Sequence, residues 1–311
     1  MSSLFAFPGQ GAQKPGMLHR LPQEVEVLEC LRQASEALDE DALVLDSEAA
    51  LRSTRAVQLC LLIAGVSSAR LLMRSGQVPD YVAGLSIGAY AAAVVAGSLD
   101  FQDAVRLVAL RGELMQNAYP DGFGMTALIG LDLSTVERLL SEVHDENTPV
   151  HLANINADNQ IVIAGSDGAM ALVGQRAKLL GASGVTRLAV SVPSHSALLS
   201  APAARLAEAF AGIELRTPRL RYLSSTTARP IFDAERLRND LAFNMCRVVD
   251  WYGTLRTAYE RGVRLHIELP PGSVLTGLAR RVFEQGTLVA FDGARLDTLV
   301  ALLRQEADQA Q

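Results

Sequence analysis

Two hydrophobic periods alternate along the chain. Residues 4–7 are continuously apolar and run into Pro8-Gly9-Gln10-Gly11, which predicts a short buried strand ending in a tight turn. Over 53–75, apolar residues recur at spacings of three and four, the mark of a helix. Residues 80–83 read as a second short strand, 84–88 as a turn and 89–96 as a helix of small residues. Asp100 heads a further helix over 101–117, with Asp103 favourably placed in its first turn. The pattern changes after Pro120-Asp121-Gly122. Strands are predicted at 125–129, 150–155, 160–164 and 185–190, and helices at 134–143 and 167–180. Residues 306–311 read as a frayed helix end.

The order β-α-β-β-α-β over ~70 residues is that of a ferredoxin-like unit, which can fold as an insert. The predicted fold class is therefore α/β. A large α/β-hydrolase-like domain with a parallel sheet, residues 1–121 and 192–311, would carry a small ferredoxin-like subdomain at 122–191. The 311 residues suffice for such a pair. Aromatic residues make up only 5%, so Ala, Leu and Val must fill the interior. A formal net charge of −6 argues against nucleic acid as a partner, though not against a small anion held by one or two arginines. Cys30, Cys60 and Cys246 lie far apart and form no C-x-x-C pair, which points to reduced thiols and a cytoplasmic setting. The N-terminus lacks signal-peptide character, no run looks like a membrane span, and the five histidines lack metal-ligand spacing.

Gly84-Leu85-Ser86-Ile87-Gly88 matches G-x-S-x-G between a predicted strand and a predicted helix. That context suits a serine on a strained turn, flanked by glycines where strand and helix approach closely. The Ile87 N–H would then sit at a helix N-terminus, aimed at a developing oxyanion. A glycine-rich turn with a solvent serine fits the same pentapeptide. A serine nucleophile needs a base. His195, in Ser191-Val192-Pro193-Ser194-His195-Ser196, lies in a small, polar, proline-stiffened loop and is the best candidate. His19 and His144 lie in polar segments, His151 starts a strand, and His266 alternates with Leu265 and Ile267 as a core or edge residue does.

On the helix over 101–117, Arg111 falls within the apolar stripe of Ala104, Leu107, Val108, Leu114 and Met115. Arg106 instead shares the polar face with Gln102, Asp103 and Glu113. A guanidinium on the buried side needs an anion. The anion is either a core carboxylate or the carboxylate of a ligand, gripped by two parallel hydrogen bonds.

These residues resemble the malonyl-CoA:acyl-carrier-protein transacylases over nearly the whole chain. Phe7-Pro8-Gly9-Gln10-Gly11-Ala12-Gln13 is similar to the family's opening F-P-G-Q-G-x-Q. The serine pentapeptide, Leu110-Arg111-Gly112, Val162-Ile163-Ala164-Gly165, Val192-Pro193-Ser194-His195 and the stretch from Glu268 to Gly277 follow in the family order. The resemblance implies that Ser86 is acylated, that His195 is its base oriented by a main-chain carbonyl, and that the N–H groups of Gln10 and Ile87 form the oxyanion hole. It implies that Arg111 holds the malonyl carboxylate, that Asn244 stands where the family has an active-site glutamine, and that no cofactor is needed. Leu85 and Ala89 replace the family's usual His and Glu, and Arg247-Val248 replaces its Asn-Pro. A G-L-S-x-G-A elbow resembles the malonyltransferase (epsilon) subunit of bacterial malonate decarboxylase. The expected partners are therefore malonyl-CoA and the carrier subunit of that enzyme, or else an acyl carrier protein of fatty acid or polyketide synthesis.

Two other classes share some features. A serine hydrolase or thioesterase would use the same elbow, and Asp292-Gly293 even permits a patatin-like Ser-Asp pair. However, the G-x-G-x-x-G anion loop of that class is absent, and an α/β-hydrolase needs more strands ahead of its nucleophile than ~80 residues hold. A non-catalytic carrier-docking subunit would have no need of Ser86, Arg111 and His195 together.

Overall fold

The computed structural model describes residues 2–119 and 121–308. Met1, Pro120 and 309–311 lie outside it, and with them parts of the expected turn at 120–122 and of the expected frayed end.

Strand β1, Ser2–Phe7, is apolar on both faces because helices cover both sides of its sheet. Phe5 and Phe7 enter one core with the helices Thr54–Met73, Gly88–Val95 and Phe101–Ala118. Leu4 and Ala6 enter a second core with Trp251, Leu255 and Leu275 on the opposite face. The remaining strands are β2 (Tyr81–Gly84), β3 (Phe123–Ile129), β4 (Val150–Ala157), β5 (Gln160–Ser166), β6 (Gly184–Arg187), β7 (Arg221–Ser224), β8 (Arg229–Ile231), β9 (Val249–Asp250), β10 (Val263–Glu268) and β11 (Thr287–Ala290). The main sheet runs β11-β10-β1-β2-β7-β8 and is parallel throughout except for β8, which returns antiparallel on the edge. Among the described residues, only β1 and β2 precede Ser86.

The second sheet runs β6-β3-β5-β4-β9. Its first four strands, with the helices Leu133–Val143 and Asp167–Leu179, follow the expected β-α-β-β-α-β succession. The fifth member was not expected. β9 comes from the part of the chain beyond 192 and pairs in parallel with β4, Asn154 opposite Val249. The sheet is thus shared between the two parts of the chain, and its far strand is anchored to the main body.

Strand β6 stops at Arg187, short of the expected 190. The guanidinium of Arg187 donates to the carbonyls of Phe123, Met125 and Val190. It lies where Gly124 lacks a Cβ; the Met125 carbonyl also accepts from the Leu188 N–H, the last such bond along this edge, and beyond it Arg187 takes the Phe123 carbonyl.

One expectation needs correction. The helix Thr54–Met73 is long and apolar enough to cross a membrane by length and composition, with a mean hydropathy of 1.8. Its most apolar window is 89% buried inside this protein, as in a core helix.

Candidate active site

The site forms where β2 turns into the helix Gly88–Val95. The glycines on either side of Ser86 are required by space. A Cβ on Gly84 would fall 1.9 Å from the carbonyl carbon of Gly88, and one on Gly88 would fall 2.2 Å from the carbonyl oxygen of Phe7. Between them Ser86 holds φ at 55°, a left-handed backbone that costs a non-glycine residue about 1–3 kcal/mol. The strain is held by β1 on one side and the helix on the other. The Pro8–Gly11 loop rests on this turn: a Cβ on Gly9 would meet Leu85 Cδ2 at 2.6 Å and the Leu85 carbonyl at 2.9 Å. Among the described residues, neither the Gln10 nor the Ile87 N–H donates to a protein acceptor.

His195 also has a positive φ, 61°, and is 2% exposed. Its N–H donates to the Met245 carbonyl at 2.7 Å, which ties the loop to the segment before β9. Its Nδ1 lies 3.0 Å from the Asn244 carbonyl and 3.2 Å from the Arg247 carbonyl. Carbonyls only accept, so Nδ1 carries the hydrogen. Nε2 is then left with its lone pair towards Ser86 Oγ, 2.8 Å away. Burial, aided by the Arg111 charge, brings the imidazole pKa down to about 4, while the two carbonyls pull the other way. The ring is therefore neutral at physiological pH and able to take a proton from the hydroxyl.

Arg111 is fully buried, as its place in the apolar stripe of Phe101–Ala118 predicts. Arg106 lies on the outside and pairs with Asp103. No carboxylate among the described residues meets Arg111, so the internal ion pair left open by the sequence is not formed. Its Nη1 donates to Gln58 Oε1 at 2.6 Å, and its Nη2 lies 3.3 Å from Ser86 Oγ and 3.4 Å from Asn244 Oδ1. Nε has no partner. Tyr90 presents its ring face 5.8 Å from the guanidinium carbon. Burial lowers the pKa of this group. A cation is thus held ready beside the hydroxyl with only neutral company.

The structure joins Ser86, His195, Arg111 and Asn244 in one hydrogen-bonded group, Gln10 borders the same cleft, and the Ile87 side chain is buried, 1% exposed. Gln58, which orients Arg111, was missed. A glutamine between Val57 and Leu59 in an apolar helix was the available signal. The Arg247 carbonyl was also missed, and a backbone acceptor leaves no mark in a sequence. His266 is buried on β10 with neither ring nitrogen bonded, and takes no part in the site.

The hydroxyl, the imidazole and the Pro8–Ala12 loop border a cleft of about 210 Å³, walled on its far side by the second sheet. The acyl transferase domain family matches residues 4–311. The malonyl CoA-acyl carrier protein transacylase of Haemophilus influenzae is 38% identical over 283 residues, 89% of this chain and 90% of that protein. The Bacillus subtilis protein of that name is 32% identical over 98% of both chains.

The chain belongs to the malonyl CoA-acyl carrier protein transacylase family.

The solved structure of the transacylase from Coxiella burnetii superposes with a TM-score of 0.92 at 34% identity, covering 98% of each chain. A type II polyketide acyl-carrier protein complexed with its malonyl-transacylase provides a second transacylase of this fold, with a TM-score of 0.90 at 35% identity over 98% of this chain and all of that one. Against the family pattern, Leu85 makes the cleft wall apolar, Ala89 is buried in the helix behind the serine, and Asn244 serves the site chiefly through its carbonyl.

Proposed function

We propose that this protein moves a malonyl group from malonyl-CoA to the thiol arm of an acyl carrier protein, in fatty acid or polyketide synthesis, through an acyl-enzyme on Ser86. The observation that carries this reading is Arg111: a fully buried cation with no internal carboxylate, 3.3 Å from Ser86 Oγ. It matches an acyl group that ends in a carboxylate.

His195 Nε2 accepts the Ser86 proton as Oγ attacks the thioester carbonyl. The oxyanion is met by the Gln10 and Ile87 N–H groups, where loss of one donor typically costs ~3 kcal/mol. As the intermediate collapses, the C–S bond breaks and His195 returns the proton to coenzyme A as its thiol leaves. The carrier thiol then gives its proton to His195 and attacks the acyl-serine, and Ser86 recovers its hydrogen when the C–O bond breaks. Arg111 and Asn244 hold the malonyl end throughout. We take residues 122–191 as the insert that closes the cleft over the acyl group. The unpaired thiols of Cys30, Cys60 and Cys246 support a cytoplasmic setting.

Leu85 and Ala89 favour a second context, the charging of a malonate decarboxylase carrier. The names of the relatives favour the first. Parallel rates of transfer to an acyl carrier protein and to a carrier bearing a dephospho-coenzyme A arm decide between them.

The primary test is the intact mass after brief incubation with malonyl-CoA. Wild type should gain one malonyl group and Ser86→Ala none. An adduct that survives in Ser86→Ala would falsify the assignment, and release of malonate without a carrier as fast as with one would make the protein a hydrolase.

A further inference from the structure

The helices Thr54–Met73 and Phe101–Ala118 are locked together in one register. Gly112 lets them touch, since a Cβ there would fall 2.5 Å from the Cα of Arg55. Gln116 then caps the neighbouring helix. Its Oε1 accepts from the Thr54 N–H at 2.9 Å and from the Ser53 hydroxyl at 3.0 Å, where Ser53 gives no side-chain cap of its own. The first turn of Thr54–Met73 is thereby fixed against the last turns of Phe101–Ala118. Gln58 lies one turn beyond Thr54. Arg111 and Met115 lie one turn apart on the facing helix, so both can meet Gln58.

Gln58 bridges the two. Its Oε1 accepts from Arg111 Nη1 at 2.6 Å, and its Nε2 donates to Met115 Sδ at 3.4 Å. A guanidinium only donates and a thioether only accepts, so one orientation of the carboxamide alone satisfies both neighbours. Met115 Sδ is the only acceptor that Nε2 meets among the described residues, and Gln58 is 1% exposed. Without the sulfur, Nε2 would be a buried donor with no partner. Gln58 and Met115 both border the catalytic cleft, so the amide has somewhere to turn, and in turning it would leave Arg111.

We propose that Met115 is a positioning residue for carboxylate selection: its sulfur fixes the Gln58 amide, which in turn holds the Arg111 guanidinium beside Ser86. This rests on the malonyl transfer proposed above. Met115 takes no part in the bond changes at Ser86. An apolar side chain of similar size would line the cleft equally well but would leave Gln58 free to turn.

The test pairs Met115→Leu, a swap of similar volume that packed cores tolerate, with Met115→Gln, whose side-chain oxygen can take the same hydrogen. Ser86 acylation is measured with malonyl-CoA and with acetyl-CoA. Met115→Leu should lower kcat/KM for malonyl-CoA about 5-fold, as loss of one buried hydrogen-bond partner does, and leave that for acetyl-CoA within about 2-fold. Met115→Gln should keep the malonyl-to-acetyl ratio within about 2-fold of wild type. In a Gln58→Leu background, Met115→Leu should change the ratio no further, because the sulfur acts through that amide. Equal losses for both donors, a ratio that Met115→Gln fails to restore, or a second full loss in the Gln58→Leu background would each overturn the proposal. Calorimetry with free malonate separates this role from the transfer itself. If wild type is never acylated yet binds malonate about 5-fold more tightly than Met115→Leu, the transfer reading fails while the positioning role stands. Malonate binding that is the same in both ends that role.

Discussion

Replacing Arg111 by methionine tests the link between burial and selectivity. The guanidinium has given up water for one strong neutral hydrogen bond, two long ones and the face of Tyr90. A bound malonyl carboxylate restores the missing charge. Truncating one member of such a buried pair typically costs about 2–5 kcal/mol, or about 30-fold to several thousand-fold in kcat/KM. Arg111→Met should therefore lower Ser86 acylation by malonyl-CoA within that range and leave acylation by acetyl-CoA within about 3-fold of wild type. Stability provides a second readout. Breaking a structural ion pair costs about 3–5 kcal/mol, because a buried charge is left behind. Here the substitution removes an unpaired cation and orphans the side-chain carbonyls of Gln58 and Asn244, opposing effects that should keep the change within about 2 kcal/mol. Intact-mass acylation rates with both donors and urea unfolding of the free protein are the assays. Equal losses for malonyl and acetyl, or a fall in stability of 3–5 kcal/mol, would refute the reasoning.

Two further outcomes follow from the same geometry. Because burial and Arg111 hold the free His195 near a pKa of about 4, the imidazole stays neutral as pH falls through the usual histidine range. The acid limb of kcat/KM should therefore lie near 4, and a limb at about 6.5 or above would contradict the buried, neutral base. Gly88→Ala should disrupt the turn, since its Cβ would sit 2.2 Å from the Phe7 carbonyl oxygen. A variant that melts like wild type and still becomes acylated would show that β1 and the helix can part without harm.

Much of the site was legible because its signals are local. A serine between glycines at a strand-to-helix junction is specified by five residues. Arg111 announced its burial by its phase on the helix Phe101–Ala118. The succession of elements around the second sheet could be read from periodicity, since alternation and the 3.6-residue repeat are short-range patterns. The carboxylate question could not be settled this way. Whether Arg111 meets an internal acid depends on every side chain that packs against it, and Gln58 comes from a helix 53 residues earlier.

The sequence alone determined the α/β class and singled out the Ser86 turn, Arg111 and the His195 loop as candidates, because each carries a signal within its own short segment. Only the tertiary structure decided what completes them. The carbonyls of Asn244 and Arg247 that orient His195 lie 49 and 52 residues away, and main-chain acceptors look alike at every position. The extra strand β9 joins a sheet that the sequence assigned to another part of the chain. The register slip between Leu152 and Asn154 in β4 turned Asn154, and with it Asn156 two residues on, towards the cleft. A bulge arises from the fit between neighbouring strands, so the face those residues occupy is a property of the assembled sheet and not of the strand's own pattern.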